Sequence, residues 1–404
     1  MPKYIIHFTF ILFIITALSG VWMRAYAYYP DFPVEYSNIL HGHSHLAILG
    51  WAFLGVFVIF LNNIWQELKQ KKQAIAIAVT LFVVTVLMFA AFIYQGYALF
   101  SIVLSTIHIF VEYWAAIFIY RRIKSNFSIP NTAKLFINGA LMALIISSFG
   151  PFAIAYISAS GMKGSNLYEM AIYFYLHFQY NGWLLLFLIG LFILILHLKK
   201  INLFNSALRI GFWLYFICLF PGYLLSVLWV ENLGITADII AGIGGIGQWT
   251  GIIYILYAYV KSYHHIKTIY SKLTMISLSL SFLLLFLKST MEAGLLIPPL
   301  LPLIYDSRSV IIGYLHFTLL GFVSIFILTQ YLMKDLLKST KLTIYGAIIF
   351  IIGFLLNELL LFGQGLTEWL QIPGLPLYTG GLFTASVILT LGIGTLWLSF
   401  FRNK

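Results

Sequence analysis

The chain has 404 residues, of which 62% are hydrophobic and 9% are charged, and its mean hydropathy is +0.98. This composition excludes a water-soluble globular protein and indicates a polytopic membrane protein. The formal charge of +11 does not indicate a nucleic-acid partner, because the basic residues lie between hydrophobic runs. The single cysteine excludes a disulfide within the chain, a thiolate zinc site and a cysteine-ligated iron–sulfur cluster.

Hydrophobic runs that are long enough to cross a bilayer predict about twelve transmembrane helices. The predicted fold is an all-α membrane bundle that forms a single domain over residues 1–404. The first helix is expected to remain in the protein rather than to be removed as a signal peptide, because its apolar stretch continues to Tyr29. The predicted spans are 5–28, 42–62, 74–95, 97–120, 134–158, 170–197, 206–230, 236–261, 273–295, 310–333, 342–362 and 377–401.

Lysine and arginine are concentrated in every second loop between the predicted spans. Of the 23 basic residues, 19 lie on one side, and the other side holds only Arg24, Lys163, Lys288 and Arg308 together with most of the acidic residues. Loops rich in Lys and Arg face the cytoplasm in membrane proteins. We therefore expect a multi-pass protein of the cell's inner membrane with both termini in the cytoplasm.

A histidine motif occurs three times in the chain, at intervals of 132 and 139 residues. The copies read HLAILGW from His45, HFQYNGW from His177 and HFTLLGF from His316, near the starts of the second, sixth and tenth spans. This spacing predicts three related units of four helices and places the histidines in one layer near the outer face. The glycine five residues after each histidine would lie about 140° away around an α-helix, where it permits close packing of a neighbouring helix.

Histidine faces lipid poorly and is the commonest metal ligand, so the repeated histidines predict a metal or cofactor site. In the first copy, His41 precedes His45 by four residues, and two histidines at this spacing share a helix face and form a known chelating pair. His43 would point elsewhere. The alternative for His41 and His43 is that both are interfacial residues bathed by water at the helix end.

Other polar side chains inside the spans are candidates for proton transfer or for contacts to a bound ligand. His108 and Glu112 lie four residues apart near the middle of the fourth span, where they either relay protons or form a neutral hydrogen bond between packed helices. Tyr180, three residues after His177, is either a proton donor or hydrogen-bonding partner of that histidine or an ordinary helix contact.

Twelve helices, a threefold repeat of four, and histidines on the second, sixth and tenth helices resemble the haem–copper oxidase subunit I superfamily along the whole chain. The resemblance implies that His45 and His316 ligate a low-spin haem and that His177 lies on the copper side of a second centre. The chain is also similar to the membrane haem–copper proteins of nitric oxide response, whose helices begin with a histidine followed by glycine and an aromatic residue.

The chain departs from the oxidase pattern in its ligand set. The seventh span, residues 206–230, contains no histidine where the oxidases carry a His-His pair, and the tenth span has only His316 where they carry two histidines. The resemblance therefore implies the fold and a metal site, without a complete oxygen-reducing centre.

We expect a membrane protein that binds haem b, with copper as a further option. Its expected role is in redox chemistry or in the binding of a small gas, without the full equipment of an oxygen reductase. As an enzyme it would be an oxidoreductase. Arg24, Arg308 and Lys288 are candidate partners of haem propionates. The expected partners are membrane lipid, a small diatomic ligand such as nitric oxide or oxygen, and a quinol or cytochrome electron donor.

Two alternatives stay open at this point. In the first, His45, His177 and His316 converge on one axis and hold a single metal ion. In the second, the protein is a cofactor-free secondary transporter or proton-coupled carrier that uses His108 and Glu112. Transporter sites commonly lie between broken helices, whereas we expect the histidine-bearing helices to be uninterrupted.

The topology is directly testable with reporter fusions. Fusions at residue 70 and at residue 265 are expected to report a cytoplasmic location, because both positions lie in loops of the basic side. An external location for either fusion would contradict the predicted orientation.

Overall fold

The computed structural model describes residues 1–126, 128–201, 203–231, 233–372 and 376–402, so that Lys404 of the basic side lies outside the described residues. Within these ranges the chain contains no strand, and twelve helices are long and apolar enough to cross a membrane. The prediction of a polytopic all-α bundle is confirmed. The helices are α1 (Lys3–Ala25), α2 (Tyr36–Ile64), α3 (Lys71–Gln95), α4 (Leu99–Ser125), α5 (Asn131–Ala159), α6 (Asn166–Leu198), α7 (Asn205–Val227), α8 (Ile235–Lys267), α9 (Lys272–Gly294), α10 (Arg308–Met333), α11 (Lys341–Trp369) and α12 (Leu377–Phe401).

Every predicted span corresponds to one of these helices, and the differences lie at the ends. The largest extension is in α11, which continues past its apolar run to Trp369. There Gln364 donates a hydrogen bond to Glu368 at 3.1 Å, one helical turn away, and Ser309 of α10 donates to the same carboxylate at 3.0 Å. These polar contacts hold a last turn that hydropathy alone does not indicate.

The helices form two compact units, the first from Met1–Ile119 with Ser309–Lys404 and the second from Tyr120–Arg308. In the first unit α2 is the most enclosed helix, with 83% of its apolar window buried. Phe13 of α1 stacks on Trp51 of α2 with ring centroids 3.9 Å apart, and the Trp51 indole donates to Ser324 of α10 at 2.8 Å. The core of this unit therefore lies where α1, α2 and α10 meet.

In the second unit α6 is the most enclosed helix, with 89% of its apolar window buried. Glycines bring the backbones of α7 and α8 together: a Cβ on Gly251 would lie 2.8 Å from the carbonyl oxygen of Gly211, and a Cβ on Gly244 would overlap the backbone of Gly222. After Pro221, α7 tightens into a 3₁₀ turn over Tyr223–Val227. The α-helical hydrogen bonding of α7 thus breaks off beside α6, one turn before the helix ends.

Each repeated motif contains a π-helical segment, Leu46–Ala52 in α2, His177–Leu184 in α6 and Phe317–Val323 in α10. Such segments are rare and occur frequently at functional sites. Their presence at three corresponding positions supports the internal repeat. Each of the three helices runs without a break through its segment, as expected, and the sequence did not indicate the π-helical geometry.

The glycine of each motif lies against a neighbouring helix, as the sequence predicted. A Cβ on Gly50 would lie 2.9 Å from Thr85 of α3, one on Gly182 would lie 2.5 Å from Ala143 of α5, and one on Gly321 would lie 2.6 Å from Phe354 of α11. The predicted angle of about 140° from histidine to glycine does not hold, because the intervening turn is π-helical and brings residues five apart closer to one side.

Replacement of Gly182 by alanine is expected to destabilise the protein by about 1–3 kcal/mol, because the added methyl group would overlap Ala143 in a packed interface. Gly164→Ala is the matched control, since a Cβ there meets nothing within 4 Å. Thermal unfolding of the two variants in detergent measures the difference, and equal stability would contradict the packing role.

Candidate functional site

His41 and His45 lie on one face at the start of α2, as their spacing predicts. The Nδ1 atom of His45 donates to the carbonyl oxygen of His41 at 2.8 Å. The His45 ring lies 4.5 Å from the Phe92 ring of α3, and the His41 ring lies 4.5 Å from that of Tyr97. This face of α2 is therefore directed toward α3 and the turn that follows it.

His43 has different neighbours, on α1 and α10. Its Nδ1 atom lies 3.0 Å from the carbonyl oxygen of Thr16 and 3.0 Å from the hydroxyl oxygen of Ser19, which donates its own hydrogen to Thr16 at 2.7 Å. The ring of His316 lies 6.4 Å away between centroids. No sequence pattern indicates this pair, because residues so far apart in the chain meet only through helix packing.

Three histidines of the first unit share one hydrogen-bonding arrangement. His316 donates from Nδ1 to the carbonyl oxygen of Ile312 at 2.9 Å, as His45 does to His41 and His43 to Thr16. Because a carbonyl oxygen can only accept, each ring carries its hydrogen on Nδ1 and its lone pair on Nε2. Metal-ligating histidines are oriented in this manner, with one nitrogen bonded to a carbonyl oxygen and the other on the metal.

The structure pairs His316 with His43 rather than placing it beside His45, whose ring faces α3. Ligation of haem by His45 and His316 stays a prediction, and His43 becomes a further candidate. Among the described residues, no group of three or more His, Cys, Asp and Glu side chains is arranged to hold a metal ion.

The two arginines predicted to contact propionates differ in position. Arg24 is half-buried at the end of α1, and its charge acts on both His43 and His316. Arg308 is exposed at the first residue of α10, about two helical turns before His316. Arg24 is thus the better placed of the two to neutralise an anionic group near these histidines.

His177 of the second unit is buried and has partners for both ring nitrogens. Its Nε2 atom donates to the carbonyl oxygen of Leu219 at 2.8 Å, and its Nδ1 atom lies 3.3 Å from the amide nitrogen of Asn181. The amide hydrogen of Tyr223, which an unbroken α7 would direct to Leu219, bonds instead to Phe220 and Pro221. His177 therefore satisfies a carbonyl group that the helix break leaves without its usual partner, and metal ligation by His177 would require it to give up one of these bonds.

A buried polar network extends from His177 to α9. Asn181 donates from its side-chain nitrogen to Glu292 at 2.9 Å and accepts from the Lys288 ammonium group with its side-chain oxygen. Lys288 forms a salt bridge at 2.7 Å with Glu292, four residues further along α9, and lies over the Tyr180 ring, 5.7 Å from its centroid. Because these contacts occupy the buried ammonium group, Lys288 is not available as a propionate partner in this structure.

His108 and Glu112 are both buried and bond to each other at 3.0 Å. The Nε2 atom of His108 lies 3.1 Å from the hydroxyl oxygen of Thr85, whose own hydrogen is donated to Leu81 at 2.7 Å. His108 must therefore donate from Nε2, and one proton is shared between its Nδ1 atom and Glu112. The pair joins α3 to α4, which supports its hydrogen-bonding role, while proton relay stays a prediction.

Sequence reasoning missed one buried acid, Glu358 of α11, which is 6% exposed. Asn357 donates to one of its carboxyl oxygens at 3.0 Å, and the other oxygen has no hydrogen-bond partner. An ionisable residue deep inside an apolar span is itself a signal of function, and that signal was present in the sequence.

No protein-family model and no curated protein matches the chain.

Replacement of Lys288 by methionine is expected to lower the free energy of unfolding by about 3–5 kcal/mol, because it leaves the carboxylate of Glu292 and the amide of Asn181 without their cation. The paired variant K288M/E292M should recover much of the loss. Lys163→Met, at an exposed lysine, is the control. Unchanged unfolding of Lys288→Met would show that the ion pair contributes little.

Proposed function

We propose that the first unit binds haem b through histidines of α2 and α10, and that the protein has a redox or small-gas role in the membrane. The observation that supports this proposal is the arrangement shared by His43, His45 and His316, in which Nδ1 is bonded to a carbonyl oxygen and Nε2 carries the lone pair. Neutral imidazoles of one fixed tautomer are what a haem or copper centre needs from its ligands.

The residues of this region fit such a group. Two of the three histidines, His43 and His316, lie beside each other, and a Cβ on Gly20 would lie only 3.4 Å from the His43 ring, so the glycine leaves space for that ring against α1. Arg24 supplies a positive charge near both rings for haem propionates. A bound haem would supply a redox-active iron that is also able to take a diatomic ligand such as nitric oxide or oxygen.

The remaining histidines argue against a complete oxygen reductase. α7 contains no histidine, and both nitrogens of His177 are engaged within the second unit. A copper ion beside a second haem would therefore lack ligands that the oxidases supply. The proposed role is the binding of a small gas, or electron transfer from a quinol or cytochrome donor, without rapid four-electron reduction of oxygen.

A cofactor-free proton-coupled carrier is the second candidate function. Buried charges inside a membrane bundle are typical of transporter sites, and the second unit contains them in the network of Lys288, Glu292 and Asn181. His108 and Glu112 would be further proton-binding groups in such a carrier.

The absorption spectrum of the purified protein separates these functions. We expect a b-type haem spectrum, since the chain lacks a Cys-x-x-Cys-His attachment sequence, and we expect His316→Ala to abolish the low-spin form. Loss of that form in His43→Ala but not in His45→Ala would identify the pair that the structure brings together, and the reverse result would support the pair predicted from the sequence. His264→Ala, at an exposed position, is the control.

A colourless protein with one bound metal would support the single site of three repeated histidines instead. A colourless and metal-free protein, purified from cells with ample haem and copper, would contradict the proposal and leave the carrier as the better account.

A further inference from the structure

Glu358 lies deep within α11, seventeen residues from Lys341 at one end and eleven from Trp369 at the other. At 1.5 Å per residue these separations are about 26 Å and about 16 Å, so neither end of the helix brings the carboxyl group to water. Its 6% exposure agrees with this position.

The face of α11 that carries Glu358 is directed toward α10. Phe354, one turn before it, packs on Gly321 and lies 6.1 Å from the Phe317 ring, and Phe362, one turn after it, would contact a Cβ on Gly313 at 3.3 Å. Residues four apart share a helix face, so Glu358 lies between these two contacts, level with the start of the π-helical segment.

Among the residues that the structure describes, no cation is paired with this carboxyl group. Its hydrogen-bond partner is Asn357, and neither described ion pair of the chain includes Glu358. Helices α1, α10 and α12 pack on α11, α1 through the contact of Phe13 with Phe350. Their titratable side chains are not bonded to Glu358; they are Lys3, Tyr4, His7 and Arg24 on α1, Arg308, Tyr314, His316 and Tyr331 on α10, and Tyr378 on α12. An isolated carboxylate at this depth is too costly to stay ionised, so the group takes up a proton.

The other two repeats show that the fold does not need an acid at this position. The residues that pack against the motif glycines include Thr85 in α3, Leu219 in α7 and Phe354 in α11. Four residues after each of them stand Phe89, Tyr223 and Glu358, and the first two also face the histidine-bearing helix of their repeat.

Phe89 lies 2.9 Å from the position of a Cβ on Gly42, and the Tyr223 ring lies 6.1 Å from that of His177. A hydrocarbon ring and a phenol thus serve for packing in two repeats, and only the third places a carboxyl group there. An unsatisfied acid that packing does not require is best explained by function.

We propose that Glu358 is a proton-binding site of the first unit, a carboxylic acid that holds one proton on Oε2 inside the membrane. The proton can leave only when an acceptor, such as a water molecule, reaches this oxygen. The carboxylic acid then gives its proton to that acceptor and becomes a carboxylate, and the reverse transfer restores the acid, with no bond made or broken other than that to the proton. It does not depend on the proposed haem.

Infrared spectroscopy tests the protonation state directly. The carbonyl stretch of a protonated carboxyl group absorbs apart from that of a carboxylate, so purified protein at neutral pH in an ester-free detergent should show such a band, with a shift in heavy water. We expect Glu358→Gln to remove it. Glu368→Gln is the matched control on the same helix, because Glu368 accepts hydrogen bonds from Ser309 and Gln364. A spectrum unchanged by Glu358→Gln would overturn the proposal.

Two further measurements keep the test independent of folding. A hydrophobic carbodiimide adds to protonated carboxyl groups in apolar surroundings, and mass spectrometry should place its adduct on Glu358 of the native protein and find none on that peptide of Glu358→Gln. The paired variant N357L/E358L should fold and unfold at an equal or higher temperature, because it removes the unsatisfied buried oxygen together with the amide that donates to this carboxyl group. A marked loss of stability in this variant would instead indicate an ionised, partnered carboxylate and would contradict the proposal. The haem spectrum is a separate readout, so its absence leaves this test unaffected.

Discussion

Hydrocarbon offers no hydrogen bonds, and this constraint decides what each intramembrane histidine can do. The N–H group of a neutral histidine ring inside the bundle needs a protein acceptor, and the nitrogen that lies against an acceptor is the one that carries the hydrogen. In α2 and α10 the partner is a carbonyl oxygen at Nδ1, which leaves Nε2 of His45 and His316 with a lone pair. In α6 the Nε2 atom of His177 donates its hydrogen to the carbonyl oxygen of Leu219, and the histidine of this repeat therefore has a structural role.

The three repeats therefore share a backbone arrangement, while their side chains differ in chemistry. Each has its histidine, π-helical segment and closely packed glycine, but the first and third repeats contribute histidines in a ligand-like state, whereas the second contributes an ion pair of Lys288 and Glu292 held by Asn181. The break in α7 explains part of this difference, because it creates the unsatisfied carbonyl group to which His177 bonds. Repetition in sequence predicts equivalent positions in the fold, and the neighbours of each position determine its role.

The fold was predictable because membrane spans depend on local composition, and each of the twelve apolar runs became a helix. Contacts within one helix were predictable for the same reason, including the pair of Lys288 and Glu292. The partner of that pair, Asn181, lies 107 residues from Lys288, and no local pattern indicates it. The pairing of His43 with His316 was missed for the same reason. The π-helical segments were missed because an apolar sequence is compatible with both α-helical and π-helical geometry.

Those segments also change the angular phase of the helices that contain them. A π-helical turn holds more residues than an α-helical one, so side chains before and after it are out of step with a continuous α-helix. In α2 this offset lets His45 and Gly50 both face α3. Loss of a single residue from the segment, such as Ala47, would restore the α-helix and rotate the first turns of α2 by about 100° relative to Trp51. Hydropathy and membrane insertion would be preserved, yet the histidines would face new neighbours, so in this fold one-residue length changes alter the direction of the histidines before they alter topology.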